Sequence, residues 1–198
     1  MTQLPLASNT QYIKSFLDKE ESEKLYQYLI QNHDLSNQKA NTIDGVSHAL
    51  EHGKIMFMDI NLYKHNKLPK SLWGQTAVWP KELIAVKKKV EKHTGTKFQV
   101  CVLIYYQDGN VGVGYHSDFV AFGDTSLIPS LSLGEERVFY LRDKQNHTEY
   151  SIKLENGSLL IMGENCQELF EHSLPIDPKY KNPRINLTFR TYGFNDPS

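Results

Sequence analysis

The heptapeptide Arg184-Ile185-Asn186-Leu187-Thr188-Phe189-Arg190 alternates strictly between polar and apolar residues. A period of two belongs to an extended strand. Ile185, Leu187 and Phe189 therefore form one face, and Arg184, Asn186, Thr188 and Arg190 the other. An edge strand with its polar face in water normally mixes acids with bases. Here two guanidinium groups share a face with no acid between them. They stand six positions apart, about 20 Å at strand spacing, too far for one short ligand to lie flat between them. Long side chains reaching inward from a curved barrel strand can still converge on it. Arginine grips carboxylates in a bidentate manner, so the strand suits the inner wall of a curved sheet that holds a small dianion.

The rest of the chain supports such a sheet. FQVCVLIYY (98–106) is apolar on both faces, as a buried central strand is. Asp108-Gly109 signals a turn after it. Further strands are expected at 130–133, 137–142, 149–154, 158–162 and 184–192. Two helices precede them. Asp18, with Glu21 three positions on, reads as an N-cap and its capping partner for a helix over 19–32, with Leu25, Tyr28 and Leu29 as its apolar stripe. Pro80 suits the first position of a second helix and Gly95 the position past its end. Residues 54–63 can supply a strand, and 64–74 read as an exposed loop broken by Pro69. Helices followed by short strands argue for an α+β domain built on a β-sandwich or barrel. The length of 198 residues fits one domain, with a helical part over 1–95 and a sheet core over 96–198.

Net charge is −1, whereas a dedicated DNA-binding domain is usually strongly basic. Any such contact has to use local patches: Lys64, Lys67 and Lys70; Lys87 to Lys89; Lys179 and Lys181. Cys101 and Cys166 form no CxxC, so zinc and disulfide frameworks are not indicated. With no signal-like N-terminus and no stretch of about 20 apolar residues, a soluble intracellular monomer with no membrane contact is expected, cytoplasmic or, in a eukaryote, nuclear.

Two more segments carry chemistry. In Tyr115-His116-Ser117-Asp118, extended backbone turns His116 and Asp118 to one side. Alone, an HxD triplet in a chain with eight histidines also fits a surface loop. His172, in ELFEHSLP, taken alone also fits one more surface histidine. Together, two imidazoles and one carboxylate make the facial triad of non-haem Fe(II) oxygenases. That triad leaves room for a bidentate 2-oxo acid and O₂. Histidines 33, 48, 52, 65, 93 and 147 have polar surroundings and read as solvated surface.

YYQDG (105–109), GYHSD (114–118), SLSLGEERVFYLR (130–142), EHSLP (171–175) and RINLTFRTYG (184–193) together resemble the AlkB family of Fe(II)/2-oxoglutarate dioxygenases. The resemblance is strong from residue 96 onward and thin over 34–75. It implies a double-stranded β-helix, or jelly roll, with N-terminal helices outside it and a substrate lid formed before residue 80. It implies iron on His116, Asp118 and His172. Tyr106, Arg184, Asn186 and Arg190 would hold 2-oxoglutarate, with Arg184 and Asn186 at one end and Arg190 at the other. The implied reaction uses O₂ and yields succinate and CO₂. On an N-methylated base in DNA or RNA it releases formaldehyde, the chemistry of alkylation repair. An AlkB-like hydroxylase or demethylase acting on a protein or small molecule is the alternative, and a non-enzymatic β-sandwich binding module is a third reading.

Two positions depart from the family pattern. Ile104 stands where many members have an Asn that contacts 2-oxoglutarate. Phe119-Val120-Ala121 follows HxD where nucleic-acid-repairing members usually carry acids, the next acid being Asp124. Phe57 and Tyr63 are candidates to stack on a flipped base.

Overall fold

A computed structural model describes residues 2–35, 39–41, 47–49, 53–118 and 120–193, with 39–41 and 47–49 described by backbone alone. The chain opens with strands β1 (Thr2–Gln3) and β2 (Thr10–Ile13) and helix α1 (Lys19–Asn32). An antiparallel pair follows, β3 (Lys39–Asn41) and β4 (Ser47–Ala49). Then come β5 (Gly53–Met58), short helices α2 (Ile60–Lys64) and α3 (Lys70–Trp73), β6 (Gln75–Val78) and helix α4 (Lys81–Thr94). The second half carries β7 (Val100–Tyr106), β8 (Val113–His116), β9 (Ile128–Gly134), β10 (Arg137–Asp143), β11 (Glu149–Leu154) and β12 (Leu159–Met162). Helix α5 (Cys166–Leu169), β13 (Phe170–Leu174) and β14 (Arg184–Arg190) complete it.

Eight strands form one sheet in the order β1-β2-β12-β9-β14-β7-β5-β6, and four form another, β11-β10-β13-β8. β14 lies between β9 and β7, antiparallel to both, so its backbone is paired on each side. Apolar residues from the facing sides meet in one cluster, with Tyr106, Ile128 and Met162 from the large sheet against Phe139, Leu141 and Leu174 from the small one. This is the expected jelly-roll core in an α+β chain.

The helices cover the other face of the large sheet. α1 begins at Asp18 with the expected capping box: the Asp18 side chain accepts from the Glu21 backbone N–H at 2.8 Å, and Glu21 accepts in return from Asp18 at 3.2 Å. Its Leu25 and Leu29 join Leu83, Val86 and Val90 of α4 over Leu103, Leu131, Ile185, Leu187 and Phe189. α4 stops at Gly95, whose φ of 74° is the left-handed conformation that closes helix C-termini. Pro80 is the N-cap of α4 in extended backbone, one position earlier than the spacing suggests.

Several expectations need correction. Residues 54–63 divide: the strand ends at Met58, and Asp59 starts α2. Residues 64–74 are not wholly an exposed loop, because α3 forms after Pro69 and Leu68 is buried beside Met56, Met58 and Val100. Residues 1–95 also contribute β1, β2, β5 and β6 to the large sheet, so no division at residue 95 separates helices from sheet. His33 is half-buried against the edge of Phe57, ring centroids 5.1 Å apart, and burial pushes its pKa down. His65, His93 and His147 are exposed as expected. The side chain of His48 and all of His52 and Phe119 lie outside the described residues.

Candidate active site

His116 ends β8 and His172 lies opposite it on β13, a direct cross-strand pair. Their ring centroids are 4.3 Å apart. Asp118 follows two residues later, where the chain leaves β8. Ser117 Oγ donates to the carbonyl of Phe170 at 3.0 Å, and the Asp118 backbone N–H donates to Gln167 Oε1 at 2.8 Å. These contacts turn the carboxylate back toward the imidazoles. One ligand atom from each of His116, Asp118 and His172 lies within 4.8 Å of the others.

The donor set fits a metal cation. His116 Nδ1 stands 2.8 Å from the Gly114 carbonyl oxygen. Donation there leaves the Nε2 lone pair for a ligand, the usual orienting arrangement of a metal-binding histidine. His172 is 5% exposed and stacks on Phe139 at 5.4 Å. Burial lowers its pKa from 6.5 to about 4, so the imidazole is neutral at physiological pH. Asp118 Oδ2 is buried without a hydrogen bond among the described residues. A buried carboxylate oxygen in that position is costly unless a cation sits beside it.

The polar face of β14 forms the wall of the same cavity, which holds about 430 Å³. Arg184 is 2% exposed. Its Nη2 donates to Ser132 Oγ at 3.0 Å, its Nε makes no hydrogen bond among the described residues, and its Cζ lies 5.4 Å from the Tyr106 ring centre. Burial lowers its pKa to about 10, so the charge persists at neutral pH with no carboxylate beside it among the described residues. Burial also raises the pKa of Tyr106, against the pull of Arg184 and Arg137. Asn186 Oδ1 accepts from Ser130 Oγ at 2.8 Å. Arg190, at the other end, holds Nη1 3.6 Å from Asp118 Oδ1. The two guanidiniums thus face one cavity from opposite ends of a strand.

Sequence reasoning missed part of the cavity. Lys54 and Met56 of β5, Trp73 of α3, and Phe122 line it. The signal for β5 was present: Lys54, Met56 and Met58 alternate with Ile55 and Phe57. Phe57 points the other way and is fully buried under the helices, which removes it as a base-stacking candidate. Tyr63 is 42% exposed and does not line the cavity. Arg137 is also new. Fully buried, it donates to the carbonyls of Asp108, Val111 and Pro175 and so ties down two loops beside Tyr106. Of the expected basic patches, Lys87 pairs with Asp59 at 2.8 Å, Lys89 with Glu21, and Lys179 with Asp177 at 2.5 Å. Lys64 at the end of α2, Lys67 in the connection and Lys70 at the start of α3 are exposed.

The sequence model of the 2OG-Fe(II) oxygenase superfamily matches residues 9–190. This chain belongs to that superfamily. Its members are defined by Fe(II) and 2-oxoglutarate, with O₂ as the second co-substrate. The expected AlkB resemblance is borne out. The chain is 34% identical over 129 residues to alpha-ketoglutarate-dependent dioxygenase alkB homolog 3 of Bos taurus, covering 60% of this chain and 45% of the relative. It is 33% identical over 124 residues to the DNA oxidative demethylase ALKBH2 of Homo sapiens, covering 56% and 48%. An uncharacterized protein of Acanthamoeba polyphaga mimivirus is 31% identical over 112 residues, covering 56% of this chain and 58% of that protein. The chain therefore spans about half the length of the curated relatives it matches. The structure of OsALKBH1 superposes with a TM-score of 0.64 over 95% of this chain and 100% of that one, at 16% identity, which shows a shared fold. Among the described residues, no helix is long and apolar enough to cross a membrane.

Proposed function

We propose that this chain is an Fe(II)- and 2-oxoglutarate-dependent dioxygenase that oxidatively removes N-linked alkyl groups from bases in DNA or RNA. The observation that carries the reading is the convergence of His116, Asp118 and His172 to within 4.8 Å in a cavity whose wall bears two buried arginines. The three would hold the iron. Bound iron supplies redox chemistry, coupling decarboxylation of 2-oxoglutarate to succinate and CO₂ with insertion of one oxygen atom from O₂ into a substrate C–H bond.

The protein's own side chains bind and orient. Arg184, whose Nε is orphaned, offers its guanidinium to the carboxylate at the far end of 2-oxoglutarate, beside Tyr106 and Asn186. Arg190, next to Asp118, faces the end nearer the metal. The apolar residues of the opposing sheet, Phe139 and Leu174, exclude water from that half of the cavity. Hydroxylation of an N-methyl carbon gives a hemiaminal, which collapses to formaldehyde and the demethylated base. Lys64, Lys67 and Lys70, exposed on the segment that leads to Trp73 of the cavity wall, supply phosphate contacts. The two free, buried thiols suit a reducing cytoplasmic or nuclear setting.

The test is succinate release with Fe(II), 2-oxoglutarate and a panel of methylated oligonucleotides and peptides. Iron-dependent release with an oligonucleotide, abolished in His116→Ala, is expected. Release with peptides alone would move the substrate to protein. That second reading has its own support in Phe119-Val120 following HxD and in the near-neutral net charge. Full turnover in His116→Ala would remove the metal assignment.

A further inference from the structure

Near Tyr106 the chain crosses twice between the two sheets. The 107–112 connection runs from β7, which ends at Tyr106, to β8, which ends at His116. The 175–183 connection runs from β13, which carries His172, to β14, which begins at Arg184. Each crossing thus joins a small-sheet strand bearing a triad histidine to a large-sheet strand bearing a residue assigned to 2-oxoglutarate. The crossings therefore set how far the metal end of the cavity stands from its far end. They are held together backbone to backbone. The Asp177 N–H donates to the Gly109 carbonyl at 2.8 Å, and the Gly109 N–H to the Tyr180 carbonyl at 2.9 Å. A Cβ on Gly109 would collide with the Asp177 carbonyl oxygen, so the close approach needs glycine.

Arg137, the first residue of β10, lies where the crossings meet and is 1% exposed. Its Nη1 donates to the Asp108 and Val111 carbonyls of one crossing, at 3.2 and 2.8 Å. Its Nη2 donates to the Pro175 carbonyl of the other at 2.6 Å. Its Cζ lies 5.4 Å from the centre of the Tyr180 ring and 5.7 Å from that of Tyr106. Tyr106 therefore has a guanidinium from each sheet beside its ring. Arg184 lines the cavity with it, while Arg137 stands outside the lining. A packed, buried side chain in that place leaves Tyr106 no room to retreat from the cavity.

We propose that Arg137 is a positioning residue that gauges co-substrate length. Acting through Tyr106 and the two crossings, it holds the far carboxylate site at the distance of a five-carbon 2-oxo diacid and excludes a six-carbon one. This rests on the assignment of Arg184 and Tyr106 to the far end of 2-oxoglutarate. Truncating Arg137 removes the backing of Tyr106 and unties both crossings, so the cavity gains room for a methylene at that end.

The test titrates 2-oxoglutarate or 2-oxoadipate into the full chain loaded with Mn(II) in place of iron, and takes a Kd for each from the rise in Tm. The wild type should bind 2-oxoglutarate about tenfold or more tighter, the discrimination usual for one methylene in a closed site. Arg137→Ala should cut that ratio at least about threefold, tightening 2-oxoadipate while weakening 2-oxoglutarate. Because the alanine variant leaves three carbonyls without their donor, two milder variants accompany it. Arg137→Lys keeps a charge and a donor. Tyr180→Leu removes the ring beside Arg137 and leaves its three acceptors in place. Both should lower the ratio by a smaller factor, and they carry the test should Arg137→Ala not fold. A ratio unaltered in the folded variants, or an equal weakening of both diacids, would show that Arg137 serves the fold alone and would overturn this inference. A wild-type Tm that neither diacid moves, or an Arg184→Met variant that binds 2-oxoglutarate as tightly as the wild type, would overturn the co-substrate assignment and this inference with it.

Discussion

The arginines at the two ends of the inner face of β14 are buried nearly as deeply as its outer face, and the two faces are opposite in chemistry. Ile185, Leu187 and Phe189 are fully buried under the helices, while Arg184 and Arg190 on the other side are 2% and 6% exposed. The outer face is stabilised by packing, with Phe189 stacked 6.2 Å from Trp79 and tilted against Phe98. On the inner face, Arg184 keeps its charge out of water with a serine and an asparagine for company. Burying a cation that way costs stability. The difference teaches that burial alone does not separate scaffold from site. The separating observation is a desolvated charge with no counter-charge beside it among the described residues.

That contrast can be broken by substitution. The largest effect is expected at the metal site: Asp118→Ala should abolish iron-dependent succinate release, and residual turnover near the wild-type rate would show that the inner face is not catalytic. Next, Phe189→Ala should cost about 3–5 kcal/mol of stability, a fall of roughly 10 °C in Tm for a domain of this size. Arg184→Met, on the same strand, should leave Tm unchanged or higher, because a buried charge is replaced by a side chain of similar volume. The same variant should raise the 2-oxoglutarate KM about tenfold or more and lose the thermal shift that 2-oxoglutarate confers on the wild type. Equal destabilisation by the two variants would erase the contrast.

The last effect concerns pH. His172 has its pKa lowered from 6.5 to about 4 by burial, so the native state favours the neutral ring. Stability from this group is fully present above about pH 6.5 and declines as pH falls toward 4, by on the order of 3 kcal/mol. Urea denaturation of iron-free protein at pH 7, 5.5 and 4.5 measures it. His172→Gln should flatten the profile by that amount, and an equally steep profile in the variant would exclude His172 as its source.

Much of this was legible in the sequence because it depends on local period. The alternation of 184–190 gave both faces of β14, and Asp18 with Glu21 marked the start of α1. The triad was legible as residue types, but their convergence depends on the β8–β13 register, which pairs residues 56 positions apart and has no local signature. Lys54 and Trp73 were missed because their segment mixes a strand, two short helices and a buried Leu68, so no single period runs through it. Lys87 and Lys89 looked like a basic patch because sequence shows charge without partners, and Asp59 and Glu21 are distant in the chain.

β8 is the outermost strand of the small sheet and is matched to β13 at only two Cα positions, with an irregularity between them at His172 and Leu174. A cation shared by His116 and His172 would therefore rivet a weakly anchored margin to the body of the protein. Loading the metal would then be a local ordering event as well as a chemical one, visible as slower amide hydrogen exchange along Val113–His116.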